Sequence, residues 1–127
     1  RGLVGSEMCI RDRGRLARAG VEISIITDHP VVPIDFLVYQ AALSVKEGLD
    51  RETALRAITL HPARVLGLDD RIGSLEVGKD ADLVLWSGDP LDVMQRALSV
   101  WIGGRQVMEY DLATARPVVA SARPAED

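Results

Sequence analysis

The hydrophobic period of this 127-residue chain changes near residue 69, and this change limits the fold more than any other sequence feature. Before it, apolar residues recur at spacings of three and four, the period of helices that bury one face. After it, short apolar and β-branched runs are separated by glycine-containing turns, as in antiparallel sheets. The predicted fold class is therefore α/β, with a strand and helices first and antiparallel strands later.

The earlier part contains one predicted strand, at residues 21–27, which is rich in valine, isoleucine and threonine and should be buried on at least one face. It ends at Asp28 and His29, where Pro30 prevents continuation. A short helical end is predicted before it, and three helices are predicted after it, the second capped by an aspartate. These helices are predicted at residues 14–20, 33–47, 51–59 and 61–66.

The later part predicts a turn-rich segment with a short strand at residues 73–79, a strand at 81–86, and a hairpin. The hairpin pairs residues 98–102 with 106–110 around the two glycines between them. Residues 112–127 are predicted to be a flexible tail, because their end is rich in alanine, proline and charge.

Residues 1–13 are interpreted as translated adapter sequence rather than evolved protein. The run from Glu7 to Arg13 resembles an in-frame translation of a transposon-end oligonucleotide used in sequencing libraries. An ordinary exposed N-terminal arm is the alternative. On the adapter interpretation, the segment is left out of fold reasoning and carries no information on targeting.

Composition excludes several function classes. The net charge is −4 and the charges are mixed, so the basic stripe of a nucleic-acid-binding protein is absent. Apolar runs fall short of the roughly 20 residues of a membrane span. The single cysteine, Cys9, fits a reducing compartment, and a cytoplasmic location is expected. The expected partner is a small-molecule substrate, with no nucleic acid and no membrane.

Three motifs in order resemble the end of the amidohydrolase superfamily, most closely its imidazolonepropionase-like branch. They are Ile25-Ile26-Thr27-Asp28-His29-Pro30, the stretch from Ala57 to Leu68, and the stretch from Arg71 to Trp86. The resemblance implies a (β/α)8 barrel with a flanking composite β-sandwich. Residues 14–68 would form the terminal strand–helix unit and closing helices of the barrel, and residues 69–111 the returning sandwich strands. A whole barrel takes about 250 residues, so a C-terminal fragment is expected.

The resemblance gives Asp28 its chemistry. In the family, the aspartate that ends the eighth strand is both a metal ligand and a proton shuttle. A divalent metal lowers the pKa of bound water from 15.7 to about 7 in favourable cases, and a carboxylate can move the proton to the leaving nitrogen. Zinc is expected, and iron or manganese also suits one aspartate. From the residues alone, a turn or capping aspartate remains open.

The two histidines are weaker candidates. His29 is a candidate substrate contact, because neighbouring side chains on an extended chain point in opposite directions and it should not share a metal with Asp28. His61, at a helix start, is expected to cap or pack. A zinc site needs about three protein ligands, so the chain alone is expected to be inactive.

The leading hypothesis is a hydrolase of non-peptide carbon–nitrogen bonds, acting on cyclic amides or related small molecules, whose parent could be homo-oligomeric. Two alternatives stay open. One is a metal-free amidohydrolase-like structural or assembly subunit, and the other is a small β-rich binding module.

Overall fold

The computed structural model describes residues 6–120, in which helices come first and a sheet follows. The helices are α1 (Ser6–Arg18), a 3-10 turn (Ile34–Phe36), α2 (Leu37–Lys46), α3 (Arg51–Arg56) and α4 (Leu60–Val65). The strands are β1 (Leu83–Trp86), β2 (Ala97–Ile102), β3 (Arg105–Asp111) and β4 (Arg116–Val119). The α/β class and the change of period near residue 69 are confirmed.

Helix α1 begins earlier than predicted, inside the segment interpreted as adapter. It packs against α2 through polar contacts: Arg11 Nε lies 3.0 Å from Glu47 Oε2, and Arg13 donates to the hydroxyl of buried Ser44 at 2.8 Å. A Cβ on Gly14 would lie 2.9 Å from the carbonyl oxygen of Gly48, so the two elements touch closely at this point. The origin of residues 1–13 stays a prediction, and residues 1–5 lie outside the described part.

The predicted aspartate cap is confirmed. Asp50 precedes α3, and its carboxylate accepts hydrogen bonds from the backbone N–H and the hydroxyl of Thr53 at 3.0 and 3.1 Å. The backbone bond satisfies one of the N–H donors that the first turn of a helix leaves unpaired. The same backbone bond is the main cause that lowers the pKa of Asp50 below its ordinary value.

The predicted strand at residues 21–27 is wrong as a strand: the segment forms no β-ladder, although its side chains alternate in burial as on an extended chain. A strand requires a neighbouring strand for its backbone groups, and within residues 6–120 helices flank this segment instead. Its predicted alternation does hold. Ile25 is buried, Ile23 and Thr27 are half-buried, and Ser24 and Ile26 are exposed. One face of the segment therefore enters the core.

The core lies in the helical part. Its buried members share small or aliphatic side chains and come from the extended segment, α2, α3 and the turns between them: Ile25, Ala41, Leu49, Ala54 and Ala57. The abundance of alanine lets these short helices approach one another closely.

The strands form one antiparallel sheet in the order β1-β2-β3-β4. The hairpin between β2 and β3 is confirmed, and its turn residues Gly103 and Gly104 have φ values of 56° and 76°. Two successive positive φ angles suit the twist of a two-residue hairpin, and glycine adopts them without steric cost. The short strand predicted within residues 73–79 is wrong, because these residues form turns.

The predicted flexible tail is wrong for Arg116–Val119, which form β4 and pair with β3. The connecting turn is organised by Asp111, whose carboxylate accepts from the Ala113 N–H at 2.8 Å and the Thr114 hydroxyl at 2.8 Å. Pro117 is tolerated because β4 is an edge strand. The composition of the tail hid this strand, and residues 121–127 lie outside the described part.

Candidate functional site

Asp28 stands where the extended segment ends and turns. Its side chain is exposed, and no hydrogen bond or ion pair of this carboxylate is found within residues 6–120. Its φ is 54°, and its carbonyl oxygen accepts a hydrogen bond from the Val31 N–H at 2.8 Å. Left-handed backbone is uncommon outside glycine, although aspartate tolerates it better than most residues. The carboxylate is thus held at a sharp turn and has no competing partner in the described chain.

Positive φ alone does not identify a site. Ala115, in the turn before β4, has the same φ of 54° and no chemistry. What distinguishes Asp28 is the combination of a strained backbone with an ionisable side chain at the end of a segment anchored in the core. Strained positions of this kind are often functional.

His29 follows directly and is exposed on the same turn, and the peptide bond between His29 and Pro30 is cis. Its role as a substrate contact stays a prediction. The structure does not bring the two histidines together, since His61 lies buried against the other end of the extended segment.

His61 packs rather than faces solvent. It is 7% exposed, its Nδ1 lies 2.8 Å from the carbonyl oxygen of Ile23, and its Nε2 lies 3.7 Å from Glu22 Oε2. The expectation that His61 caps or packs is confirmed as packing.

Charged side chains form a polar network on the surface beside the buried His61. Arg64, one turn along α4, donates to Glu22, and its Nε lies 3.8 Å from Asp69 Oδ2. Sequence reasoning missed this network, since Glu22 and Arg64 are 42 residues apart and neither stands in a recognisable pattern. The His61-Pro62 helix start was the one available signal.

A metal site cannot be completed from the described residues. Within residues 6–120, no group of three or more histidine, cysteine, aspartate or glutamate side chains lies close enough to hold a metal ion. Asp28 fits as a single ligand, because its carboxylate is exposed and uncommitted. Three protein ligands are usual for catalytic zinc, so any others must come from residues beyond this set.

One cavity of the described chain is too small for a substrate. It lies between α2 and the residues after β1, has a volume of about 80 Å³, and is lined by residues including Tyr39, Ala42, Trp86 and Leu91. Ligand pockets usually measure about 300–1,000 Å³. Asp28 does not line it, so the cavity and the candidate carboxylate are separate features.

No helix within residues 6–120 has both the length and the apolar character needed to cross a bilayer.

Comparison with known sequences gives consistent matches. The sequence model of the amidohydrolase family matches residues 9–108, which includes the last five residues of the segment interpreted as adapter. The imidazolonepropionase of Pseudomonas aeruginosa is 40% identical over 95 residues, covering 70% of this chain and 22% of that protein. Amidohydrolase tasK of Hapsidospora irregularis is 35% identical over 92 residues, covering 72% of this chain and 9% of that protein.

Comparison with solved structures agrees. An amidohydrolase from Thermotoga maritima MSB8 superposes with a TM-score of 0.76 and 44% identity, covering 79% of this chain and 26% of that one. An adenosine deaminase from Xanthomonas campestris with bound zinc has a TM-score of 0.59 and 34% identity, covering 75% and 27%. The chain thus spans about a quarter or less of the length of the proteins it matches.

Proposed function

This chain belongs to the amidohydrolase family, and we propose that it serves in a metal-dependent hydrolase of non-peptide carbon–nitrogen bonds, with Asp28 as metal ligand and proton shuttle. The observation that carries the proposal is the position of Asp28, an exposed carboxylate without a partner among residues 6–120, at the end of a core-anchored extended segment. The similarity to imidazolonepropionases favours cyclic amides or related small molecules as substrates.

The proposed architecture follows the family. Residues 21–27 would be the last strand of a (β/α)8 barrel, α2 to α4 its closing helices, and β1 to β3 part of a flanking sandwich. In such barrels, catalytic groups stand at the carboxyl ends of the strands, which is where Asp28 stands on the extended segment. Neighbouring barrel strands would then supply the backbone partners that residues 21–27 lack among the described residues.

In the proposed reaction a carboxylate has two roles, metal binding and proton transfer. Hydrolysis adds water to a carbonyl carbon and breaks the carbon–nitrogen bond, giving a carboxylic acid and an amine. A divalent metal, zinc by preference, would supply the electrophilic help that makes water a competent nucleophile near neutral pH. Asp28 would accept one proton from the attacking water and deliver it to the departing nitrogen, so that protons balance over the reaction.

The exposed position of Asp28 suits both roles. A carboxylate that is locked on an arginine would be neither a free base nor a free ligand, and Asp28 has no such contact within residues 6–120. Its place beside a tight turn, with the Val31 N–H bonded to its carbonyl oxygen, restricts the direction in which the side chain leaves the backbone. We also propose that the protein acts in a reducing, cytoplasmic compartment. The same proposal includes a homo-oligomeric parent protein.

The test uses the full-length protein that contains this chain. We expect the purified protein to hold a divalent metal and to hydrolyse a cyclic amide such as an imidazolone or hydantoin. Asp28→Asn should lower kcat by about 100-fold or more, because general acid–base catalysis contributes 10²- to 10⁴-fold. Asp70→Asn is the matched control, since Asp70 is also exposed and also lacks a side-chain hydrogen bond in the described chain. It should stay within about twofold of wild type.

Full-length protein without metal and without hydrolysis would instead indicate the structural or assembly subunit. A metal-loaded, active protein in which Asp28→Asn and Asp70→Asn behave alike would remove Asp28 from the mechanism.

A further inference from the structure

Two hydrogen bonds, one between backbone groups and one from a side chain to a backbone carbonyl, fix the segment that carries Asp28, and both come from the α3–α4 region. The Ile25 N–H donates to the carbonyl oxygen of Ala57 at 2.9 Å, and the Ile23 carbonyl oxygen lies 2.8 Å from His61 Nδ1. Residues two apart on an extended chain present their backbone groups to the same side. Ala57 and His61 are four residues apart, close to one helical turn. The helices therefore bind one edge of the segment at two points.

The second of these bonds defines the state of the imidazole. A carbonyl oxygen can only accept, so Nδ1 of His61 carries a proton and donates it to Ile23. The other nitrogen, Nε2, faces Glu22 at 3.7 Å, and Glu22 is held in turn by Arg64. The ring is buried and its Nδ1 is bonded to a backbone carbonyl, which restricts its rotation about the side-chain bonds.

The loop after helix α4 packs closely against this helix, which carries His61. A Cβ on Gly73 would lie 2.9 Å from both the Ala63 Cβ and the Leu60 Cα, so the loop after α4 touches the helix at backbone distance. In that loop, Lys79 donates to the Asp69 carbonyl oxygen and to the Ser74 hydroxyl, both at 2.6 Å. The contacts run without a gap from this loop through α4 to His61 and the Ile23 carbonyl.

We infer that His61 is a positioning residue for Asp28: its Nδ1–H holds the Ile23 carbonyl and so sets how far the extended segment reaches towards the reacting atoms. The inference rests on the proposed function of Asp28. Asp28 follows Ile23 by five residues of extended chain, which transmits an axial shift directly because each residue spans about 3.3 Å. A misplacement of about 1 Å at a catalytic group can lower a rate by about 100-fold.

Two amide substitutions separate the two ring nitrogens. His61→Asn places its amide nitrogen where Nδ1 stands and can still donate to the Ile23 carbonyl, whereas His61→Gln places its amide near the position of Nε2. In the full-length protein we expect His61→Gln to lower kcat by about tenfold with unchanged metal content and KM. His61→Asn should remain within about threefold of wild type. Glu22→Gln, which leaves the Nδ1 bond intact, should change kcat less than about twofold.

A second measurement does not depend on hydrolysis. Hydrogen exchange of the Ile25 amide, which bonds to Ala57 beside the His61 contact, should become about fivefold faster in His61→Gln and stay near wild type in His61→Asn. If the wild-type protein hydrolyses nothing, the proposed function fails and with it the catalytic part of the inference, but the exchange result still decides whether the Nδ1 bond of His61 holds the segment. Equal losses in both variants would show that ring volume matters rather than the Nδ1 bond. Equal losses, or unchanged kcat and exchange in His61→Gln, would overturn the inference.

Discussion

The helical part and the sheet of this chain bury their side chains to very different extents. In the part of the chain that the structure describes, the six buried hydrophobic residues lie between residues 25 and 63, whereas the one buried residue in the strands is Ser99. In β1, the successive residues Leu83, Val84 and Leu85 are all exposed, and every residue of β4 is exposed. The helical part buries Ile25 with its own residues. The sheet has apolar side chains on both faces, and most of them are not buried by other residues.

The difference shows which part of the fold buries its side chains against residues that are near in the sequence. Helices α2 to α4 are joined by short links, so each can bury its apolar face against the helix next to it in the sequence. A sheet must bury its faces against another layer. Within residues 6–120, Leu91 in the loop between β1 and β2 packs against the helical core, while most of β1 and all of β4 stay exposed. On the architecture proposed above, that layer would come from the flanking sandwich and the barrel.

The largest effect is expected at the loop that holds α4. Gly73 and Gly78 have nearly equal φ values of 94° and 95°, but a Cβ on Gly73 would meet Ala63 and Leu60 at 2.9 Å, whereas a Cβ on Gly78 would meet nothing within 4 Å. Gly73→Ala should therefore lower the free energy of unfolding by about 3 kcal/mol, strain and overpacking together, and Gly78→Ala by about 1 kcal/mol. Urea unfolding followed by circular dichroism measures both, and equal losses would contradict the close contact.

The second prediction applies one substitution to both parts. Leu49 is 3% exposed in the helical core, and Leu85 is 57% exposed in β1. Leu49→Ala should cost about 2–3 kcal/mol, as for a buried leucine, whereas Leu85→Ala should cost less than about 1 kcal/mol in this 127-residue chain. In the full-length protein the cost at Leu85 should rise towards that at Leu49 if the sheet gains a covering layer. Equal costs in the short chain would show that the sheet is already covered.

The third prediction compares two probes of one unfolding experiment. Both tryptophans, Trp86 and Trp101, lie in the sheet, so their fluorescence reports on it, while far-ultraviolet circular dichroism is dominated by the helices. For the 127-residue chain we expect the fluorescence transition at lower urea concentration than the dichroism transition, because the sheet has fewer buried contacts. A single coincident transition would mean that the two parts unfold as one cooperative unit, which also is what a self-sufficient binding module would do.

Sequence patterns predicted the elements whose causes are local. The Gly103-Gly104 hairpin and the Asp50 cap depend on backbone preferences and on bonds spanning two or three residues, and both are confirmed. The strand predicted at residues 21–27 is wrong, because the pattern gives the alternation of Ile23 and Ile25 but not the neighbouring strand that a ladder requires. β4 was missed because the composition near Pro117 outweighed its two valines.

The candidate site divides in the same way. Asp28 could be singled out because it follows a β-branched run and precedes a proline, and the family resemblance gave it a role. The His61 bond to Ile23 joins residues 38 apart, and the Arg64 bond to Glu22 joins residues 42 apart. No periodicity encodes such pairs. The hydrogen bonds that hold the segment carrying Asp28 can therefore be seen only in the folded structure.

The smallest effect is expected from two aspartates, one in each part. Hydrogen bonds from Thr53 hold the pKa of Asp50 below its ordinary value of 3.8, and hydrogen bonds led by the Thr114 hydroxyl do the same for Asp111. Because the folded pKa is lower than the unfolded one, each contribution is fully present above about pH 4 and is lost as the pH falls through the folded pKa.

Substitution by asparagine separates the two contributions, since asparagine caps a helix or a turn without titrating. Asp50→Asn should make the dichroism midpoint less sensitive to pH as the pH falls below about 4 and leave the fluorescence midpoint as in wild type. Asp111→Asn should do the reverse, because its turn joins β3 and β4 in the sheet. If either substitution changed the acid response of both probes equally, the helical part and the sheet would be coupled, and the contrast between them would be one of burial alone.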